Sequence, residues 1–501
     1  MSESNQCFLA TLGEFADDPV EQTGPTTDFF YIDISSIDRE TKKIADPKAL
    51  KLSQAPSRAK QLLKAGDVLV SMTRPNLNAV ARVPEQLNHA IGSTGFHVLR
   101  SRWLNPGFLL ALVQTQSFVD AMSAVVQGAL YPAVRPRDIA AYTFRFETPA
   151  QQTRIVAKLE ELLSDLDAGV AELKAAQKKL AQYRRSLLKA AVEGALTADW
   201  RAQHTPTETG AQLLERILTE RRARWEARQL ANFKEQGKAP PKDWQKKYPE
   251  PVRPATAGLP ELPEGWVWAC VAQLGHVQLG RQRSPSKVGK MNPTPYIRAA
   301  NITEAGVDLS DVLEMEFSDT EKETFALKVG DVLLTEASGS PEHVGRPAIW
   351  KQAHGLYCFQ NTVLRFSPEG IGSEHAFYSF LAMQKLGVFS QLSGGVGINH
   401  LSAGKFSALM VPLPPLNEQV ALVESIKDGL SKCDDQLVVI AHALKQSVVQ
   451  RQNILRAAFA GQLVPQDPSD EPASALLARI RTERAEKAAK PRKRPAAKAA
   501  S

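Results

Sequence analysis

Leu63-Lys-Ala-Gly-Asp-Val-Leu69 and Leu327-Lys-Val-Gly-Asp-Val-Leu333 differ at one residue, and their aspartates, Asp67 and Asp331, stand 264 positions apart. Four more matches recur in the same order near that offset. Tyr31-Ile32 corresponds to Tyr296-Ile297, and Val98-Leu99-Arg100 to Val363-Leu364-Arg365. Pro149, Gln151-Gln152 and Ile155-Val156 correspond to Pro415, Glu418-Gln419 and Leu422-Val423. Leu187-Leu-Lys-Ala-Ala-Val-Glu-Gly194 corresponds to Ile454-Leu-Arg-Ala-Ala-Phe-Ala-Gly461. Ordered self-similarity at so long a period makes the chain two homologous halves.

Each half opens with short β-branched and aromatic runs broken by Gly, Pro, Asn and Ser, such as Phe29-Phe-Tyr-Ile-Asp-Ile34 and residues 359–366. These predict strands of a mixed α/β (α+β) domain, over about residues 1–147 and again 262–413. Gly66-Asp67 and Gly330-Asp331 read as turns into a buried strand.

A long helix follows in each half. Residues 151–196 contain no Pro, and Leu159, Leu162, Leu166, Leu173, Ala176, Leu180, Tyr183 and Leu187 recur three and four apart, with a gap at Gly169. Ile426, Leu430, Cys433, Leu437, Ile440, Leu444 and Ile454 repeat the rhythm. That spacing lines apolar side chains into one seam, as in a coiled coil. Each helix would have roughly 46 residues and span about 69 Å. The simplest partner for each is the other, packed antiparallel with a globular domain at either end. The small Ala-Ala-x-x-Gly helix ends (190–194 and 457–461) suit close packing against the other half or a partner subunit. The boundaries are thus 1–147, first domain; 148–200, first helix; 201–261, insert; 262–413, second domain; 414–465, second helix; 466–501, short helix and basic tail.

The insert between the halves is helical over 210–236, with Leu213, Leu214, Ile217, Leu218, Trp225, Leu230 and Phe233 on one face; the Pro-rich stretch 238–263 reads as a linker. Ala475-Leu-Leu-Ala-Arg-Ile480 is a shorter echo after the second long helix. The last residues, with Lys487, Lys490, Arg492, Lys493, Arg494 and Lys498 among Ala and Pro, read as a solvated, disordered end.

Composition narrows the function. The 501 residues suit two to four domains. No basic start with an apolar core marks a signal peptide, and no apolar run is long enough to cross a membrane. Four cysteines without CxxC spacing or histidine partners argue against zinc and structural disulfides, and fit a cytoplasmic protein. Sixty-one Lys and Arg against 54 Asp and Glu give +7, compatible with nucleic acid. Motifs for catalysis are missing. Asn105-Pro-Gly-Phe108 has Gly where an amino-methyltransferase loop has its second Pro, and reads as a helix-initiating turn. Gly394-Gly-Val-Gly397 lacks dinucleotide and P-loop spacing, there is no GxSxG, and Asp331 and Glu336 lack a nuclease's Glu-x-Lys partner.

The order of a domain ending in Pro, then Glu-Gln, a long helix and Leu-Leu-Lys-Ala-Ala-Val-x-Gly, all repeated, resembles the specificity subunits of type I restriction–modification systems. So do residues 209–217, 240–244 and Leu259-Pro-Glu-Leu-Pro-Glu-Gly-Trp266, and Val411-Pro-Leu-Pro-Pro-Leu-Asn-Glu-Gln419. The resemblance covers nearly all of the chain except the basic tail. Two departures stand out: nothing matches Leu-Pro-x-Gly-Trp before Leu12-Gly13, and Gln151 stands where the second half has Glu418. The resemblance implies a non-catalytic DNA reader with two target-recognition domains, one per half of an asymmetric, interrupted site. The helices would fix the gap with a pseudo-two-fold, and two modification subunits and restriction subunits would assemble on it. It implies no cofactor bound by this chain; S-adenosylmethionine, ATP and Mg²⁺ belong on the partners. The alternatives are the recognition subunit of a related bifunctional restriction–methylation enzyme and a coiled-coil scaffold without DNA.

For a DNA reader, base contacts need polar side chains on loops that can enter a groove. The first domain offers Arg74, Asn76 and Asn78 after its buried strand; the second offers Ser338 and His343 in the equivalent stretch. The stretch Tyr131-Pro-Ala-Val-Arg135-Pro-Arg137 aligns with Ile398-Asn399-His400-Leu-Ser402, 267 positions on, and sits just before a terminal strand. Arg281, Gln282, Arg283, Lys287 and Lys290 form a basic loop suited to phosphate. No metal ligands are expected.

Overall fold

The computed structural model describes residues 8–15, 20, 22–126, 132–251, 256–282, 293–392 and 399–489. The chain divides into two compact units, Met1–Lys174 with Ile440–Ser501, and Ala175–Val439. The division cuts through both long helices, so each unit carries its own segment of the helix pair.

In the first unit, Leu9–Thr11 pairs antiparallel with Thr143–Arg145, the strand that leads into the first long helix. A four-stranded mixed sheet runs Lys48–Leu50, Phe29–Ile32, Ile91–Ser93, Ala59–Leu62. A three-stranded antiparallel sheet centres on Val68–Ser71, flanked by Phe96–Leu99 and Val80–Arg82. The second unit repeats the plan. Val267–Cys270 pairs with Met410–Leu413, Pro293–Ile297 lies between Leu313–Glu316 and Cys358–Phe359, and Val332–Thr335 lies between Pro347–Ile349 and Val363–Pro368.

The repeated heptapeptide makes the same turn twice. Gly66 and Gly330 take φ of +88° and +94°, open to Gly without the Cβ clash. Asp67 and Asp331 each accept the N–H three residues back, from Lys64 and Lys328, both at 2.8 Å. The strands that follow are buried at all four positions. One alignment needs correcting. Leu99 faces Val68, whereas Phe366 faces Val332, so the equivalent of Arg100 is Ser367, two residues beyond the apparent match Arg365. Their hydrogen bonds agree: Arg100 Nε and Nη2 reach Asp67 at 2.7 and 2.6 Å, and Ser367 Oγ reaches Asp331 at 2.6 Å. A slip of two keeps every side chain on its face of the sheet, so the sequence pattern could not detect it.

The long helices run Pro149–Val192 and Leu416–Phe459, 44 residues each. In the first unit Leu159, Ile454 and Leu455 share a core with Val68, Leu99, Phe108 and Phe118, and Arg451 pairs with Asp167. In the second unit Arg184 meets Asp434 at 3.0 Å, and Gly429 lets Leu187 approach so closely that a Cβ would lie 2.7 Å from Leu187 Cδ2. Numbers rise on one helix as they fall on the other, so the segments pack antiparallel within each unit. Leu159, Leu187, Ile426 and Ile454 are buried; Leu166, Leu173, Leu180, Leu430, Leu437 and Leu444 are half-buried, as expected where only two helices meet. Tyr183, expected on the seam, is 52% exposed; Arg184 takes the half-buried position beside it, and its guanidinium reaches Asp434. Val170 is half-buried beside Gly169.

The insert helix, Gly210–Glu235, buries Leu213 and Ile217 in the second unit's core with Val332, Leu364 and Phe380. Its distal part departs from expectation. Leu230 is exposed, and the Pro-rich stretch is more than a linker, because Trp244 stacks on Trp225 at 5.8 Å and Tyr248 sets its edge on it at 5.4 Å. The echo, Ala473–Ala489, buries Leu476, Leu477 and Ile480 in the first unit. The helix ends at Gly194 and Gly461 pack on their own chain, where an added Cβ would lie 2.5 Å from Pro263 and 2.4 Å from Arg145.

Candidate nucleic-acid interface

The two polar stretches singled out in each half lie side by side. In the first unit Thr73 bridges antiparallel to Ala133, Val134 N–H donates to the Met72 carbonyl and Arg74 N–H to the Pro132 carbonyl, both at 2.8 Å. In the second, Ala337 pairs with His400 and Ser338 with Asn399, and Leu401 N–H donates to the Glu336 carbonyl at 2.8 Å. Each unit thus builds a short two-stranded ribbon from segments about sixty residues apart, in matching register. A β-ribbon is one of the shapes a DNA groove admits.

The first ribbon runs into a turn, Pro75–Leu77, flanked by two residues in the left-handed region, Arg74 (φ 48°) and Asn78 (φ 44°). That conformation costs roughly 1–2 kcal/mol outside Gly, so the turn must be held. Asn78 holds it, donating Nδ2–H to the Val113 carbonyl at 3.1 Å and accepting Lys42 Nζ on its own carbonyl at 2.6 Å. Burial, with Arg451 and Arg39 nearby, lowers the Lys42 pKa to about 8.

The candidate residues fall into three groups. Arg74, Asn76 and Arg137 are exposed on the first ribbon and its flanks, and Arg74 has no carboxylate within ion-pair distance among the described residues. On the second ribbon His400 is exposed and Ser338 half-buried, and His343 is exposed in the turn Pro341–His343 that follows. His400 Nδ1 lies 3.1 and 3.2 Å from the Glu336 carboxylate oxygens. Another group is tied to the fold. Asn78 is the turn's clamp, and Arg135 pairs locally with Asp138 at 3.1 Å at the start of its own short helix while its side chain stays 43% exposed. Arg281 corrects the reading of a basic surface loop. It bridges to Gln360, its side chain is 10% exposed, its Nε bonds Glu321 at 2.6 Å and its guanidinium lies over Phe317. Strand pairing draws it onto the domain, where a buried cation needs its partners. The last group lies outside the described residues: Tyr131, Arg283, Lys287, Lys290 and the tail from Lys490. Asn399 is described in its backbone alone, and Gln282 is exposed beside them. Sequence reading missed Glu336 as a site residue, since only the pairing beside His400 gives it a place there. Among the described residues no three His, Cys, Asp or Glu cluster to hold a metal, and no helix is long and apolar enough to cross a membrane.

In the second unit, the junction into the long helix is built on Glu418. Its fully buried carboxylate accepts Thr197 Oγ1–H at 2.7 Å and Trp266 Nε1–H at 2.9 Å, and pairs with Arg201. This explains why Leu-Pro-x-Gly-Trp and Glu418 occur together in one half and are both missing from the other, where Gln151 donates to the Val464 and Pro465 carbonyls.

Residues 263–448 match the family described as the type I restriction modification DNA specificity domain. The specificity subunit of the type I restriction enzyme EcoKI from Escherichia coli K12 is 24% identical over 85% of this chain and 82% of its own length; that of StySPI from Salmonella potsdam is 20% identical over the same shares. Among solved structures, a chain from a study of type I R-M complex assembly and conformational transition matches with a TM-score of 0.66 at 22% identity, covering 91% of this chain and 98% of that one. The HsdS subunit from Thermoanaerobacter tengcongensis matches with a TM-score of 0.53, at 22% identity over 91% and 97%. In fold and over most of its sequence, the chain is similar to the specificity subunits of type I restriction–modification systems.

Proposed function

We propose that this chain is the DNA-sequence-recognition subunit of a type I restriction–modification complex. Its reading domains, residues 1–147 and 262–413, each take one half of a bipartite, asymmetric site. The observation that carries this is the pair of matched ribbons, built alike in both halves but tipped with different side chains. Duplication supplies two readers, and divergence of the tips supplies two sequences. The chain itself performs no catalysis. Two modification subunits bring S-adenosylmethionine and the methyl-transfer site; restriction subunits bring ATP, Mg²⁺ and cleavage, in the cytoplasm. Apolar faces of the long helices serve those partners.

The test is to co-express the chain with its modification subunit and map methylated adenines by single-molecule sequencing. One bipartite motif is expected, and exchanging residues 1–147 for those of a relative should change one half alone. An unsplit motif, or methylation that does not need this chain, overturns the reading.

A further inference from the structure

We infer that the two half-sites are read by opposite hydrogen-bonding chemistry: the first ribbon reads a guanine through Arg74, and the second reads an exocyclic amino group, cytosine N4 or adenine N6, through Glu336. This rests on the DNA-recognition reading and names what each reader takes.

Arg74 stands at the tip of its ribbon with its backbone fixed on both sides, by the hydrogen bond to Pro132 and by Pro75 locked into the following turn. Its guanidinium carries donors and no acceptor. On a major-groove edge, the acceptor pair that matches it is guanine O6 and N7. Asn78, which could have offered an amide to adenine, has its Nδ2 committed to the Val113 carbonyl. Ser338 stands in the register of Arg74 in the second ribbon, so that reader has no cation at the same place.

Glu336 is the opposite case. Its backbone is tied by Thr362 and Leu401, and its carboxylate is 16% exposed beside His400. Met72 and Ala133 hold the equivalent places in the first ribbon, so the carboxylate–imidazole pair is peculiar to the second. A carboxylate accepts only, and it repels phosphate. In the major groove it can be satisfied by an amino group, which cytosine and adenine present on that edge and guanine and thymine do not. His400 holds the carboxylate in one orientation while its ring stays at the surface.

The experiment uses the full chain co-expressed with its modification subunit. Arg74→Gly removes the side chain at a position where φ of +48° suits glycine; Glu336→Gln keeps shape and removes the charge. Methylation maps of Arg74→Gly should show one guanine of one half-site relaxed by roughly tenfold or more, the other half unchanged. Glu336→Gln should relax one cytosine or adenine of the other half, and which base relaxes tells the two apart. The unaltered half-site reports that the variant still folds and assembles.

A second measurement needs only the unsubstituted complex. Duplexes carrying 7-deazaguanine at the first position, or pyrimidin-2-one or purine at the second, should bind at least tenfold more weakly. Relaxation of a base other than guanine in Arg74→Gly, an unchanged motif in Glu336→Gln, or indifference to the modified bases overturns the assignment while leaving a bipartite reader in place. Loss of the bipartite motif itself overturns the function proposed above.

Discussion

The side-chain oxygen of Gln152 accepts the backbone N–H of Asn105 at 2.7 Å, fastening the start of the first long helix to the N-cap of helix Pro106–Gln114. Its Nε2 donates to the carbonyls of Glu147 at 2.8 Å and Trp103 at 3.3 Å. Gln419 makes the corresponding bonds, from Gly372 N–H at 3.4 Å and to Pro414 O at 3.0 Å. Both glutamines are essentially inaccessible to water, so no solvent replaces a lost partner.

Gln152→Leu is therefore expected to lower stability by about 2–4 kcal/mol, the penalty for leaving buried backbone groups unpaired. Urea denaturation of the two proteins side by side measures it; a loss below 1 kcal/mol would mean that the amide is replaceable.

Glu418→Gln strips Arg201 of its buried counter-charge and weakens the bonds from Thr197 and Trp266. A loss of about 3 kcal/mol is expected. Trp266→Phe removes one donor and should cost about 1–2 kcal/mol. Thermal unfolding should rank the variants in that order, and the reverse order would show that the indole's packing outweighs the carboxylate's network.

His375 is fully enclosed, its Nε2 has no hydrogen-bond partner among the described residues, and burial lowers its pKa to about 4. The unfolded chain takes up a proton near pH 6.5 that the folded chain refuses until about pH 4, so stability is lost as pH falls through that window. The loss approaches roughly 3 kcal/mol at its acid end. Relative to wild type, His375→Gln should lose less stability between pH 7 and 4.5, read by denaturant midpoints. Parallel curves for the two proteins would place the imidazole in contact with water.

Lys42 carries the same logic at alkaline pH. Its folded pKa, about 8, lies below the ordinary lysine value of 10.5, so the folded state binds fewer protons between the two. This group's contribution to stability is least favourable below pH 8 and rises toward pH 10.5. Comparing wild type with Lys42→Met from pH 7 to 9.5 should show wild type gaining on the variant. Because Lys42 also props the turn through Asn78, the variant should bind specific DNA more weakly at every pH. Full affinity in Lys42→Met would make that prop dispensable.

By itself the sequence determined the duplication, the two long helices and the helix that follows each. Those signals are one-dimensional: a repeated heptapeptide, a three-and-four spacing, a run without Pro. Which residues face DNA was decided only in three dimensions. Arg281 and Arg74 look alike as basic residues in polar stretches, yet strand pairing seals one over Phe317 and leaves the other exposed at a ribbon tip. Arg365 looked like the partner of Arg100 until the strand register moved it by two, a shift that preserves the pattern of buried and exposed positions. Met72 finds Val134, and Glu336 finds His400, across some sixty residues whose contacts no local spacing encodes. The helices answer to neighbours three and four positions away, whereas the ribbons answer to neighbours the chain reaches only after it has folded.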